Sequence, residues 1–584
     1  MRTSAPRLRR RAVALLLALA ACRPATPPGT AAAPAAAYDV IVEGGRLVDG
    51  SGNPWRYADV ALVGDRIARI APPGGLASAR AATRVDARGL VVAPGFIDLQ
   101  AQSYENFMLG DGRALSMVTQ GISTAILGEG STPAPKNPRS ASDFAEGDTA
   151  TERRLLRYAG PRGFGRWLED MAARGLSQNV GSFLGAGTVR SYVMGSRADA
   201  PTPAEVDTMR AVTVRAMRDG AFGVASALIY TPGAYAGTDE LVAIAQAMAP
   251  LGGRYVTHLR SEGDRFLEAL DEALAIGQRG GVPVEIYHLK ASGPRNWAKM
   301  DTAIARIEAA RARGQEVAAD MYLYVAGGNS MTQCIPAPYH VGGKLLANLT
   351  DPAVRPRVAA DMRRVPSPTE NLCEVAGPPN IMLAGLTSER YKPFEGKRLA
   401  DVMAAEGGAK DWAETIIDLV IAEQGRGPGE ILFLMSEENI RKQLALAWMS
   451  VGTDAGAMDP AVARGATHPR AYGNYPRLFG RYVREERVLP LEDAVRKVTW
   501  AAAARLGLTD RGLLAEGLKA DVVVFDAGRI TDRATFERPH QLSEGVRWLF
   551  VNGRAVLANG AHTGATPGQV VRGAGWDGVR PREP

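Results

Sequence analysis

Tyr255-Val256-Thr257-His258 and Val284-Glu285-Ile286-Tyr287-His288 decide the fold. Each is a short β-prone apolar run that closes on a histidine, and a helical pattern lies between them, the signature of a parallel βαβ unit. Upstream the same alternation closes on Phe96-Ile97-Asp98, Thr124-Ala125-Ile126-Leu127, Val180-Gly181-Ser182-Phe183-Leu184 and Gly223-Val224-Ala225-Ser226. Downstream it closes on Val317-Ala318-Ala319-Asp320 and Met449-Ser450-Val451-Gly452-Thr453-Asp454. Eight such strands predict an α/β chain built as a (β/α)8 barrel.

The flanks read differently. From Tyr38 to Val92 short β-prone runs alternate with turn residues, and the texture returns in Ala520–Phe525 and Val546–Val551, the latter followed by the turn dipeptide Asn552-Gly553. The two ends are expected to build one sheet domain from residues 38–92 and 510–575, around a barrel spanning 93–509, with 576–584 as a tail. The gap between the seventh and eighth strands is too long for a bare loop and predicts an inserted subdomain at about 328–430, beside the barrel mouth.

At 584 residues the chain has room for two packed units. Its formal charge of +7 is mostly leader: without Arg2, Arg7, Arg9, Arg10 and Arg11 it falls to +2, which excludes a nucleic-acid partner on charge grounds. Those arginines precede an apolar run, Ala12–Ala21, too short to span a bilayer. The ending Leu19-Ala20-Ala21-Cys22 resembles a bacterial lipobox, so residues 1–22 are expected to be a signal peptide, Cys22 a lipidation site, 23–37 a flexible tether and the protein periplasmic. Cys334 and Cys373 remain, either paired in an oxidising compartment or buried as separate thiols.

Of the six histidines, His258 and His288 stand at consecutive strand ends on the barrel face where catalytic groups collect, and such imidazoles converge as ligands for Zn²⁺. Asp454, ending the last strand, reaches the same centre and suits a general acid/base beside an ion-activated water. The competing readings are hydrogen-bonded structural histidines and an aspartate that caps a helix.

Gly95-Phe96-Ile97-Asp98, Thr257-His258-Leu259-Arg260, the step to His288 with Lys290 following, Gly452-Thr453-Asp454, His468-Pro469-Arg470, Gly517–Asp521 and Ser543–Arg547 together resemble the N-acyl-D-amino-acid deacylase (D-aminoacylase) branch of the amidohydrolases. The resemblance covers nearly everything after Ala37. It implies a β-sandwich with a distorted barrel, zinc held chiefly at one tight site, and hydrolysis of the amide of a small N-acyl-D-amino acid. It also implies Lys290 and Arg470 as holders of the substrate carboxylate and Tyr322 as an oxyanion donor, and Tyr230, after the fourth strand, is a candidate pocket wall; the competing readings are ordinary salt-bridge partners for the two cations and packing aromatics for the two tyrosines. His468 is read as organising the pocket; His340, His540 and His562 are read as structural.

Three departures stand out. Where the family carries His-x-His, this chain has Gln100-Ala101-Gln102, so a second metal site is expected to be weak or absent. In Gly128-Glu129-Gly130 a glycine replaces the family's bridging cysteine, and Glu129 becomes the candidate third ligand or else a loop cap. Ala186 stands where relatives often have histidine. A hydantoinase or dihydroorotase would want the missing His-x-His. A dipeptidase, a lactonase and an inactive ligand-binding barrel are the remaining alternatives.

Overall fold

The computed structural model describes residues 37–145, 148–160, 162–365, 367 and 369–580. The expected leader, Cys22 and the tether up to residue 36 lie outside the described residues, and Ala37 already opens a strand, Ala37–Leu47. None of the described helices is long and apolar enough to cross a membrane.

Eight parallel barrel strands follow one another as Phe96–Asp98, Ile122–Leu127, Asn179–Ser182 continued by Leu184–Gly185, Gly223–Ala227, Arg254–His258, Val284–Ile286, Val317–Met321 and Met449–Val451. Ile122–Leu127 and Val317–Met321 are buried at every residue, as parallel strands covered on both faces must be. The ring closes where Ala101 bridges Ala455 and the Asp454 N–H donates to the Gln100 carbonyl at 2.8 Å. Phe183 breaks the third strand, so its first half pairs with the second strand and its second half with the fourth. This break is the barrel's distortion. The helices between strands carry their own stop and start signals: Pro203–Arg218 opens on a reciprocal cap between Thr202 and Glu205, with Pro203 in the first turn where its missing N–H costs nothing.

Both chain ends enter one nine-stranded sheet. Val522–Phe525 runs antiparallel to Val91–Pro94, joining segments more than 400 residues apart. Ala37–Leu47 bends at an irregularity between Val42 and Gly45; its first half pairs with Arg80–Asp86 and its end with Val91–Pro94, which folds the sheet around Val42, Val60, Leu62, Val522 and Phe550. Asn552 and Gly553 both adopt positive φ between Val546–Val551 and Arg554–Ala558, the two-residue turn that right-twisted hairpins favour.

The C-terminal stretch expected to stay in the sheet domain leaves it. Val180 donates to Gln569 O at 2.9 Å, Val571 donates back to Val180 O at 2.8 Å, and Val571 packs with Phe183 and Phe222 against the N-terminal ends of the barrel strands. Gly568 makes this crossing sterically feasible, since a Cβ there would meet the Gln178 carbonyl at 1.9 Å.

Between the seventh and eighth barrel strands, Gly327–Ser330, Gly429–Leu432 and Ile381–Ala384 form a separate three-stranded antiparallel sheet. It is backed by a core of its own around Met331, Leu349, Val358, Ile416 and Leu419. Cys334 and Cys373 form a disulfide inside it, resolving the choice left open by the sequence.

Candidate metal centre and active site

A cavity of about 540 Å³ opens at the C-terminal ends of the barrel strands, under the inserted sheet. Glu129, Tyr230, His258, His288, Lys290, Tyr322, Asp454, Arg470 and Gln102 line it, and Gln100 reaches it through Glu129.

His258 ends the fifth strand. The sixth strand stops at Ile286, and His288 turns inward with φ +34°. Asp454 likewise sits at φ +47° beyond the last strand. Left-handed backbone is uncommon outside glycine, though His and Asp adopt it more readily than most residues, and here it turns both side chains into the pocket. The His288 turn is held by Asp320, whose Oδ1 accepts the His288 N–H at 2.7 Å. Thr453 donates to Asp98, which fastens the last strand's end to the first.

Glu129 Oε1 lies 3.2 Å from His258 Nδ1 and 3.3 Å from His288 Nε2. One ligand atom from each of the three residues lies within 4.8 Å of the others, and the two imidazole rings meet edge to face at 4.4 Å. The residue before Glu129 sets this up: Gly128, at φ +115°, lies so close to the third strand that a Cβ would come within 2.3 Å of Phe183 O. Burial opposes ionisation of Glu129, but the two imidazoles beside it hold its carboxyl well below the ordinary range. Burial also pushes His258 down, toward the neutral form that ligates cations.

A second tier of residues supports the three. Glu262 Oε1 lies 3.0 Å from His288 Nδ1 and accepts from Lys290 Nζ at 2.6 Å, and Lys290 Nζ lies 2.8 Å from the same imidazole nitrogen. Burial works to raise Glu262; Lys290 and the imidazoles overcome it and keep it ionised. Lys290, expected to hold a substrate carboxylate, therefore has its ammonium spent on Glu262 and His288. Glu262 was missed in the sequence because a carboxylate four residues past a strand end can point anywhere until the loop is built.

Arg470 Nη1 lies 2.8 Å from Asp454 Oδ2, a charge contact without hydrogen-bond alignment, and this buried nitrogen has no hydrogen-bond partner among the described residues. It keeps a donor to offer. His468 organises the neighbourhood: its Nδ1 accepts the Arg470 N–H at 3.0 Å and its Nε2 lies 2.7 Å from Ala326 O. Burial, and then Arg470, push His468 well below the ordinary histidine range, so it stays uncharged. The Tyr322 ring lies beneath both cations, 4.4 Å from the Arg470 guanidinium carbon and 5.6 Å from Lys290 Nζ, and Gly327 leaves room over its hydroxyl. Tyr230 meets the His258 ring at 5.4 Å, and burial pushes its phenol well up.

Of the remaining histidines, His340 lies 3.0 Å from Ile335 O, His540 bonds Tyr472 at 2.9 Å and His562 bonds Ser177 at 2.9 Å, all outside this cavity. Ala186, buried, begins a helix over the third strand. A second cluster of ligand-type residues lies in the insert, where Glu430 Oε2 is 3.3 Å from Cys334 Sγ and 3.2 Å from Cys373 Sγ.

Residues 447–557 match the model of the amidohydrolase family. The D-aminoacylase of Alcaligenes xylosoxydans xylosoxydans is 34% identical over 542 residues, 91% of this chain and 97% of that one. A solved D-aminoacylase, described with a binuclear metal centre showing one-metal activation and second-metal attenuation, superimposes with a TM-score of 0.74 at 31% identity, covering 92% of this chain and all of that one. The N-acyl-D-glutamate deacylase of Bordetella bronchiseptica, solved with zinc and a phosphonate mimic of the tetrahedral intermediate, gives a TM-score of 0.74 at 29% identity over the same shares. Its barrel with a composite sheet domain, its cluster of inward-facing ligand groups and these matches along nearly its whole length place the chain in the D-aminoacylase, or N-acyl-D-amino-acid deacylase, family of amidohydrolases, a family of hydrolases.

Proposed function

We propose that this protein is a zinc-dependent hydrolase that splits the amide bond of N-acyl-D-amino acids. The observation that carries the reading is the meeting of Glu129, His258 and His288 on one point of a cavity also lined by Asp454 and Arg470. Two imidazoles and one carboxylate suit zinc, for which three protein ligands are the usual catalytic set. The zinc-bound structure of the Bordetella deacylase supports the choice of ion. When bound, zinc acidifies water and polarises a carbonyl.

The chain's own groups do the rest. Asp454 takes the proton of the attacking water and passes it to the departing nitrogen, so that water adds across the C–N bond and an acyl acid and a free amino acid leave. Arg470, whose Nη1 has no aligned hydrogen-bond partner among the described residues, receives the substrate's α-carboxylate in place of Asp454. Tyr322 stands over the same space as a donor to the developing oxyanion. Among the described residues, Lys290 and Arg470 are the only lysine or arginine side chains lining the cavity, and Lys290 is occupied; the lining otherwise includes Leu434, Met435 and Met458. This favours a substrate with one carboxylate and an uncharged side chain. On its leader the protein is proposed to be exported and lipid-anchored at Cys22, and the disulfide supports an oxidising compartment.

The test is metal content by mass spectrometry together with hydrolysis of N-acetyl-D- and N-acetyl-L-amino acids. Asp454→Asn should keep the ion and lose about 10²- to 10⁴-fold in kcat. Full turnover in Asp454→Asn, or no hydrolysis of any N-acyl amino acid by zinc-loaded protein, sinks the reading.

A further inference from the structure

The segment Gln100-Ala101-Gln102 is zipped between its neighbours. Gln100 N–H reaches Asp98 Oδ1 at 3.1 Å, Ala101 N–H reaches Ile126 O at 2.9 Å, and Gln102 N–H reaches Ala455 O at 3.0 Å. With the backbone held, residues 100 and 102 fall on the same side, as alternate residues of extended chain do. Both side chains end on one atom: Gln100 Nε2 and Gln102 Nε2 each donate to Glu129 Oε2 at 2.7 Å. The other carboxylate oxygen, Oε1, faces the two imidazoles.

Glu129 is thus divided. One oxygen is saturated by two neutral N–H donors, and the other is left for a cation. A second ion on the Oε2 side would meet the positive ends of two amide dipoles. Turning the amides over would set their carbonyl oxygens against a carboxylate. The buried Gln100 Oε1 has no partner among the described residues, a cost the fold accepts to keep the nitrogens on Glu129.

Resting on the metal-dependent reading above, we propose that Gln100 and Gln102 are positioning residues, a neutral clamp that presents Glu129 through Oε1 alone and bars a second ion. The centre is mononuclear by construction, in contrast to the binuclear centre described for the solved D-aminoacylase. The two glutamines are therefore more than vestiges of a lost site: they take over the task of orienting the carboxylate. Excess divalent ion does not occupy the Oε2 side.

The experiment is a Co²⁺ titration of metal-stripped protein, read by visible absorption, electron paramagnetic resonance and mass spectrometry. Wild type should take one Co²⁺ per chain, with an isolated-ion spectrum, even in large excess. Gln100→Leu/Gln102→Leu, which keeps the bulk but removes both donors, should bind that ion about 10- to 100-fold more weakly, the usual cost of losing a partner that orients a ligand. Gln102→Glu, of the same shape but anionic, should admit a second ion and show spin coupling between the pair. Two ions per wild-type chain, or unchanged affinity in the double leucine variant, overturns the clamp while leaving hydrolysis intact. Failure of wild type to bind any ion overturns the metal-dependent reading itself, and the clamp with it.

Discussion

Among the described residues, two clusters contain the ingredients of a metal site, and they are built differently. At the barrel mouth, Glu129, His258 and His288 face one another with their ligand atoms apart, inside a network in which Glu262, Lys290, Gln100, Gln102 and Asp320 hold or orient their partners. In the insert, Cys334, Cys373 and Glu430 are as close together and more deeply buried, but the sulfurs are bonded to each other and the carboxyl makes no salt bridge among the described residues. Burial alone pushes Glu430 up to about 8, whereas the imidazoles hold Glu129 well down against the opposing effect of its own burial. The lesson is that three ligand-type side chains define a cation site only when their surroundings leave each with a lone pair to donate, and keep them separate and aimed.

The largest test of this contrast exchanges the clusters' roles. His258→Ala or His288→Ala should strip the bound ion and bring hydrolysis to background, while Cys334→Ala/Cys373→Ala should keep both, measured by metal content and initial rate on the same preparations. Loss of the ion in the cysteine variant would show that the insert contributes to the centre.

That cysteine variant should instead pay in stability. The disulfide closes a 39-residue separation, and loop entropy places its contribution at about 3 to 4 kcal/mol, to be read from denaturant midpoints with and without the bond. A smaller effect is expected from Glu262→Gln, which weakens the hold on His288 and Lys290: metal affinity should fall about 10- to 100-fold, with the fold intact by circular dichroism. Unchanged affinity would break the link between the second tier and the ion.

A last test is one of pH. Folded Glu430 keeps its proton up to about pH 8, whereas an unfolded chain releases it near the ordinary 4.5, so folding takes up a proton between those values. Its contribution to stability is present in full below pH 4.5 and is lost as pH rises toward 8, on the order of 1 kcal/mol per pH unit. Glu430→Gln should flatten that slope between pH 5 and 8. A slope identical to wild type would mean that the insert relaxes around the charged carboxyl.

Some of the molecule was open to reading from the chain alone, because the signals were local. The eight strand ends carry their own apolar runs, Asn552-Gly553 its own turn, and His258 lies at a position whose direction follows from strand geometry, whereas His288 and Asp454 stand past their strands and are aimed by left-handed backbone. What remained closed depended on contacts distant in sequence. Glu262 and Lys290 could be assigned to each other only after two loops were placed, and the departure of residues 567–573 from the sheet to the barrel floor is decided by the packing of Val571 against Phe183 and Phe222.

The sequence by itself determined the barrel and the two-ended sheet, since periodicity and residue type act within a few positions of each other, and its scattered motifs carried the family resemblance. Only the tertiary structure decided that the Lys290 ammonium is taken up by Glu262 and His288, that Cys334 and Cys373 pair, and what Gln100 and Gln102 do with their amides. Each of those outcomes turns on which of several possible partners lies within about 3 Å, a distance that hydrogen bonding demands and that sequence separation does not encode.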